Sequence, residues 1–198
     1  MPRVIGGTVE AHRAHMTAKI FAAVKDQLYQ RGYDAISLAD IAEACGMSRT
    51  TMYNYFPDKA ALVIAYALRE IELFVARLDD QLGSLDDPVD QLRAYVRLQL
   101  DYFSDHHLPP GPTLRMLLPE SSAHVVLAHV RELEARLQGI VAEGRARGQF
   151  VVPDLDATVA LISACISRGS ESDAPLAERI DVTAGFVLRA VGAGDRPA

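Results

Sequence analysis

The sequence predicts an all-α protein, and three observations support that fold class. Apolar residues recur at intervals of three and four along most of the chain, which is the spacing of one helix face. Glycine, proline and capping serine or aspartate residues separate these periodic segments. A strand-like pattern appears only in residues 149–152, a stretch too short to build a sheet.

The predicted helices are bounded by residues that start or end helices. Gly32 ends the first helix, and Ser37 and Ser48 cap the two short helices that follow. Pro57 opens a long fourth helix, because proline suits the first helical turn, and Asp154 caps the eighth. The nine predicted helices span residues 9–31, 38–44, 49–55, 57–82, 89–106, 113–118, 121–147, 155–168 and 175–191.

The composition is that of an ordinary globular chain of 198 residues, 49% hydrophobic and 23% charged. No apolar run approaches the roughly 20 residues that cross a bilayer, and the N-terminus lacks the apolar core of a signal peptide. We therefore expect a cytoplasmic protein with no membrane partner. Cys45 and Cys165 lie far apart in apolar helical contexts, which predicts reduced core thiols.

The net charge of −6 is unevenly distributed. Residues 1–60 contain seven Lys/Arg and six Asp/Glu, whereas residues 61–198 contain thirteen and twenty. This balance argues against a protein that coats nucleic acid non-specifically. Specific DNA contact remains compatible with it, through a small basic surface in the near-neutral N-terminal part.

Residues 37–56, SLADIAEACGMSRTTMYNYF, predict two short helices joined by a tight turn. Gly46 can take the positive φ that such a turn requires. Ile41, Met47 and Met52 point inward and set the angle between the helices. The second helix is then pushed outward, where its N-terminal half can enter a DNA major groove.

The second helix would expose five side chains with DNA-binding chemistry. Arginine donates two hydrogen bonds to guanine and asparagine pairs with adenine, while threonine offers a hydroxyl or a methyl group. Hydroxyls of threonine and tyrosine also suit phosphate oxygens, which fix the register of the protein on DNA. The five residues are Arg49, Thr50, Thr51, Tyr53 and Asn54.

Three further residues are candidates for phosphate binding. The helix starts at Ser37 and Ser48 offer backbone N–H groups. Lys59 is a cation in the first turn of a helix, a position that the helix dipole opposes unless an anion is bound there. A solvated lysine, tolerated at small cost, is the alternative.

The stretch from Ala18 to Leu62 resembles the N-terminal signature of the tetracycline-repressor-like (TetR) family of regulators. The matching segments are QRGY at 30–33, SLADIA at 37–42, GMS at 46–48 and YNYFPDK at 53–59. Cys45 departs from the alanine or glycine usual in the family, and Thr50 stands where a smaller residue is common.

The resemblance implies a nine-helix architecture with two domains. Residues 1–57 would form a three-helix DNA-binding domain with a helix-turn-helix, and residues 58–198 a helical ligand-binding and dimerisation domain. The DNA contacts of the family, carried over residue by residue, fall on Ser37, Arg49, Thr50, Thr51, Tyr53, Asn54 and Lys59.

The resemblance also implies a ligand cavity among the fourth to eighth helices. Aromatic bodies with polar tips suit a mostly apolar small molecule with one or two polar anchors. A plain helical core is the alternative for each of these residues. The candidates are Tyr66, Phe74, Tyr95, Gln99, Tyr102, Phe103, His106, Met116, Leu117, His124 and Leu127.

We expect no cofactor and no metal. His106 and His107 suggest a metal sensor together with His124 and His129, but adjacent histidines on a helix point about 100° apart and do not easily share an ion.

The last two helices are predicted to pair with a second copy around a two-fold axis. A single helix-turn-helix reads too few bases for useful specificity, so two half-sites of a palindromic operator are expected. An intramolecular hairpin is the alternative use of the same residues. They are Val159, Ile162, Ile166, Leu176, Ile180, Phe186 and Val187.

The sequence therefore predicts a ligand-responsive transcriptional regulator, a repressor as is usual in the family, which binds double-stranded operator DNA as a homodimer and is released by a small molecule. A ligand-independent DNA-binding regulator is one alternative. An enzyme on an all-helical scaffold is another, but no nucleophile elbow, phosphate loop or glutamate–histidine metal helix is present in the sequence.

Overall fold

The computed structural model describes residues 6–105 and 120–193, with side chains described for residues 10–104 and 131–193. This part of the chain contains helices and connections but no strand, so the all-α prediction is confirmed. The predicted short helix at 113–118 lies outside the described residues. The eight described helices are α1 (Gly6–Ala35), α2 (Leu38–Ala44), α3 (Arg49–Tyr55), α4 (Lys59–Gly83), α5 (Pro88–Asp105), α6 (Glu120–Ala146), α7 (Leu155–Ser170) and α8 (Leu176–Ala190).

The local signals in the sequence set most helix ends. Helices α2 and α3 have the predicted bounds because their capping serines are in place. Helix α1 runs four residues past the predicted end by hydrogen bonding, but Gly32 interrupts it with φ 73° and ψ 169°. The regular helix therefore breaks at the predicted glycine, and a short turn continues to Ala35.

The described chain divides into two compact units, residues 6–69 and residues 70–105 with 120–193. The core of the first unit joins α1, α2 and α3 to the first two turns of α4, because Leu62 and Tyr66 are buried in it. The predicted domain boundary after Pro57 stays a prediction, since the compact unit itself continues to Arg69. The buried core residues are Ile20, Val24, Leu28, Ile36, Leu38, Ile41, Ala42, Cys45, Met52, Leu62 and Tyr66.

The second unit is built around α5, which packs against α6, α7 and α8. A buried polar pair joins α5 to α6: the Tyr95 hydroxyl donates to the backbone oxygen of Leu133 at 3.1 Å and accepts from Gln99 at 3.0 Å. Burial raises the pKa of Tyr95 to about 12, so its hydroxyl keeps the proton it donates. These bonds satisfy polar groups that would otherwise be costly in a core.

The second half of α4 is attached to α6 by an ion pair. Nη2 of Arg136 donates to one carboxylate oxygen of Asp79 at 2.7 Å, and Nε donates to the other. The hydrogen bonds and the charge of Arg136 lower the pKa of the Asp79 carboxyl.

In the described residues, no helix is both long and apolar enough to cross a membrane.

The turn between α6 and α7 packs tightly onto the last turns of α6. The Phe150 ring is buried against Gly144, and a Cβ added to Gly144 would overlap that ring. Gly139, one and a half turns earlier on the same helix, is exposed and has open space around it. The two glycines thus share a helix but differ in what surrounds them.

This difference predicts opposite effects of the same substitution. Gly144→Ala is expected to destabilise the protein by about 1–3 kcal/mol, because the buried ring must move. Gly139→Ala is expected to stabilise it by up to about 1 kcal/mol, since alanine is the better helix former. Thermal unfolding of both variants measures this, and equal effects of the two substitutions would contradict the packing described.

Candidate nucleic-acid interface

Helix α2 begins with a complete capping box. The Ser37 hydroxyl accepts from the backbone N–H of Asp40 at 3.2 Å, while the Asp40 carboxylate accepts from the Ser37 hydroxyl at 2.7 Å and from its N–H at 2.9 Å. These hydrogen bonds lower the pKa of Asp40, so the carboxylate is charged at neutral pH. The start of α2 is therefore fixed locally.

The turn between α2 and α3 depends on Gly46. Its φ of 65° lies in the left-handed region, and its N–H donates to the backbone oxygen of Glu43. The next N–H, of Met47, donates to the oxygen of Ala42, and Cys45 is buried. The predicted positive φ at Gly46 is confirmed, and it lets the chain reverse within a few residues.

Helix α3 is anchored by one fully buried side chain. Met52 is 0% exposed and lies in the core of the first unit, as predicted from the sequence. Ser48 caps the helix, since its hydroxyl accepts from the Thr51 N–H at 3.1 Å and lies 2.8 Å from the Thr51 hydroxyl. Cap and anchor together define which side of α3 faces outward.

The five predicted base and phosphate contacts of α3 all lie on the surface. Tyr53 is 58% exposed, and Arg49, Thr50, Thr51 and Asn54 are exposed as well. Ser37 and Ser48 are also exposed, although both hydroxyls already serve caps. The structure thus brings the α3 residues together on one short helix, with donors and acceptors suited to DNA.

Lys59 is placed differently from the other predicted contacts. Its ammonium is partly buried and donates to the backbone oxygens of Tyr33 at 3.0 Å and Ile36 at 3.1 Å. It also lies 4.3 Å from the centre of the Tyr33 ring. The sequence did not indicate these partners, which lie more than twenty residues away along the chain.

The C-terminal end of α3 is held by aromatic contacts. The Phe21 ring lies 6.1 Å from the ring of Phe56 and 5.9 Å from that of Tyr66. Arg13 places its guanidinium 5.6 Å from the centre of the Tyr55 ring. Contacts from α1 therefore support the end of α3, and Tyr66 of α4 packs against the same Phe21 ring.

The predicted ligand-binding residues are divided between the two units. Tyr66 is buried in the first unit, whereas Phe74, Tyr95 and Gln99 are buried and Tyr102 and Phe103 partly buried in the second. Phe74 and Tyr102 have ring centres 4.5 Å apart. Burial raises the pKa of Tyr102. His106, Met116 and Leu117 lie outside the described residues, as do the side chains of His124 and Leu127 on α6.

The predicted interface residues mostly belong to the protein's own core. Leu176 and Ile180 are partly buried against that core, and only Phe186 of the set, at 53%, is largely exposed. A side chain buried within its own protomer has no surface to offer a partner, so an interface role does not fit four of the seven. These four are Val159, Ile162, Ile166 and Val187.

Another apolar surface lies on the same two helices. Leu161 on α7 is 67% exposed, and Val182 on α8 is 63% exposed beside Phe186. Three exposed alanines follow one another on α7 at intervals of three and four, namely Ala157, Ala160 and Ala164, and the first and last lie four and three residues from Leu161. We call this set, with Val182 and Phe186, the α7–α8 face.

Among the described residues, no cluster of three or more histidine, cysteine or carboxylate side chains could hold a metal ion.

The fold and the exposed α3 residues define a helix-turn-helix DNA-binding protein. Comparison with known proteins agrees: residues 20–66 match the model for bacterial regulatory proteins of the tetR family, and residues 85–169 match a tetracyclin repressor-like C-terminal domain. The transcriptional repressor ComR of Escherichia coli is 30% identical over 172 residues, covering 81% of each chain. The chain therefore belongs to the TetR family.

Two further comparisons extend this result. The transcriptional regulator AlkX of Mycobacterium tuberculosis is 39% identical over 128 residues, which cover 59% of this chain and 59% of AlkX. The crystal structure of RolR in complex with resorcinol has a TM-score of 0.61 and 26% identity, covering 91% of this chain and 89% of that one. The chain is thus a transcriptional regulator that binds operator DNA as a homodimer, and not an enzyme.

Proposed function

We propose that this protein is a repressor that reads a palindromic operator with two copies of α3 and leaves it when a small, mostly apolar molecule binds. The observation that carries the proposal is the surface of α3, where Met52 faces inward and the polar residues face outward. The name of ComR as a repressor supports the direction of control. The protein acts in the cytoplasm, where operator DNA is accessible.

The side chains of α3 divide into base-reading and phosphate-binding groups. Arg49 suits a bidentate contact with guanine and Asn54 one with adenine, and Thr50 adds a methyl or hydroxyl contact. Tyr53 is exposed and suits a phosphate oxygen. These contacts lie on a seven-residue helix, so each half-site is short.

The capping serines differ in what they have left for phosphate. The Ser37 hydroxyl donates its hydrogen to the Asp40 carboxylate, so a contact between Ser37 and DNA must use another group. The hydroxyls of Ser48 and Thr51 form one hydrogen bond with each other, which uses one of their two hydroxyl hydrogens. One hydroxyl hydrogen of that pair is therefore available to a phosphate oxygen.

The α7–α8 face is the surface we assign to dimerisation. It is apolar and exposed in the single chain, and its alanines permit close helix packing. A two-fold axis through it would build a four-helix seam from two copies of α7 and α8. The dimer then presents two α3 helices, which explains how a short reading helix reaches useful specificity.

Effector sensing is assigned to the second unit. Phe74, Tyr102 and Phe103 form an aromatic cluster there, with polar tips nearby at Tyr95 and Gln99. RolR, which has this fold, was crystallised with the small phenol resorcinol. Effector binding shifts the population toward the conformation that the effector prefers, which is the one that binds DNA poorly. The free energy of operator binding then weakens by at most the difference between the effector's binding free energies for the two conformations.

The double variant Arg49→Ala, Tyr53→Ala is expected to lose operator binding while staying folded and dimeric. Each bidentate base contact is worth about 1–3 kcal/mol, so the loss should be on the order of 100-fold. Mobility-shift titrations of the operator with the variant and with the wild-type protein measure this loss of affinity. Arg93→Ala, which removes an exposed arginine from α5, is the matched control and should bind normally. Operator binding by the double variant at wild-type strength would refute the assignment.

Val182→Glu is expected to give a monomer that binds the operator poorly. The substitution would place two unpaired carboxylates in the two-fold seam, at a cost of about 3 kcal/mol or more, equivalent to roughly 100-fold in dimer dissociation. Sedimentation velocity measures the oligomeric state. Val151→Glu is the matched control, since Val151 is similarly exposed at 71% but lies off the α7–α8 face. Dissociation by the control alone would exclude this face.

An effector is expected to stabilise the protein and release the operator over one concentration range. A ligand at 100 times its Kd adds about 2.7 kcal/mol to the free energy of unfolding. A thermal-shift screen that begins with small phenols identifies candidates, and mobility shift then tests release. Phe74→Ala should abolish both effects, whereas Leu73→Ala, at its exposed neighbour, should not. If a compound stabilises the protein but the protein–operator complex persists in its presence, the result would support a ligand-independent regulator.

A further inference from the structure

Lysine ammonium groups bind backbone oxygens at both ends of α2. At the N-terminal end, Nζ of Lys59 donates to the oxygens of Tyr33 and Ile36 at 3.0 and 3.1 Å. At the C-terminal end, Nζ of Lys19 donates to the oxygen of Cys45 at 2.8 Å. All five residues belong to the first compact unit, and four of the five precede α3.

The Lys59 ammonium occupies a site that is built for it. It stands at the first residue of α4, where the helix dipole opposes a cation. Two carbonyl oxygens and the face of the Tyr33 ring offset that cost. Two of its three donors are thereby used, and the charge is turned toward the protein's own backbone.

The carbonyls that Lys59 binds lie where α1 gives way to α2. Gly32 breaks the regular helix with its positive φ, and the carbonyls that follow have lost their intrahelical partners. Ile36 immediately precedes Ser37, the cap of α2. Lys59 therefore ties the start of α2 to the start of α4.

The Lys19 contact is reciprocal. While its ammonium donates to the Cys45 oxygen, the Cys45 thiol lies 3.7 Å from the Lys19 oxygen and donates to it. Burial raises the pKa of the Cys45 thiol, so the donor proton is retained. Cys45 directly precedes Gly46, the residue whose φ sets the turn into α3. Lys19 therefore ties the end of α2 to α1.

We propose that Lys19 and Lys59 are positioning residues for DNA recognition, which fix the direction of α2 and through it the angle at which α3 is presented. This inference rests on the proposed operator binding and gives Lys59 a role other than the phosphate contact that family resemblance implies. Both lysines act through backbone carbonyls of their own chain. Neither needs to touch DNA to govern affinity.

The test separates a positioning lysine from one that neutralises a phosphate. Lys59→Met removes the donors and the charge but keeps an apolar stem against Tyr33. Operator affinity is expected to fall at least tenfold, while the slope of log K against log salt concentration stays at its wild-type value. Because a dimer carries two copies of Lys59, loss of their phosphate contacts would instead reduce the magnitude of the slope by about 1.8, or about 0.9 per contact.

The comparison variants make every outcome decisive. Lys59→Arg keeps donors for the carbonyls and should recover most of the affinity, and Lys19→Met should repeat the Lys59→Met result. Lys25→Ala, at an exposed lysine of α1, is the control and should change neither quantity. Circular dichroism at the assay temperature checks folding; if Lys59→Met is unfolded there, the Lys19→Met titration decides.

Two results would overturn the inference. Unchanged operator affinity in folded Lys59→Met and Lys19→Met would reduce both contacts to fold stability alone. A reduced salt slope in Lys59→Met would make that lysine a phosphate contact. Failure of the wild-type protein to bind any operator would instead refute the proposed function, so the two failures are distinguishable.

Discussion

Burial of Met52 is the interaction on which the DNA-binding surface depends. Helix α3 has seven residues, too few to be stable alone, so its orientation must come from packing rather than from its own hydrogen bonds. Met52 is the one α3 side chain that is fully buried. Because residues one or two positions apart on a helix point in different directions, fixing Met52 inward also turns Thr50, Tyr53 and Asn54 outward. Arg49 lies three residues before Met52 and is exposed at the first position of α3.

The sequence predicted the first unit well because its signals are local. Ser37 and Ser48 cap helices by bonding N–H groups three residues away, and Gly46 supplies a backbone conformation that few other residues adopt. Each such signal lies within four residues of its effect. The bounds of α2 and α3 could therefore be read from the chain without knowledge of the tertiary structure.

Contacts between distant parts of the chain could not be predicted in this way. The carbonyls bound by Lys59 are backbone atoms of residues more than twenty positions away. Every residue has such a carbonyl, so residue identity does not indicate which one accepts the hydrogen bond. Similarly, α7 is apolar on two sides: Ile162 faces the protomer's own core and Leu161 faces outward. Periodicity marks both as apolar and does not say which side meets a partner. Tyr66 and Phe74 show the same limit, since one helix carries them into different cores.

Several of the polar contacts described above use a main-chain oxygen as the acceptor. The phenol of Tyr95 bonds to the peptide carbonyl of residue 133, and the two lysines bond to carbonyls of residues 33, 36 and 45. Mutation of the acceptor residue leaves its carbonyl in place, whereas mutation of the donor removes the bond. The hydrogen bond of Tyr95 therefore depends on the identity of Tyr95 and not on that of residue 133, although the Leu133 side chain itself packs against the core.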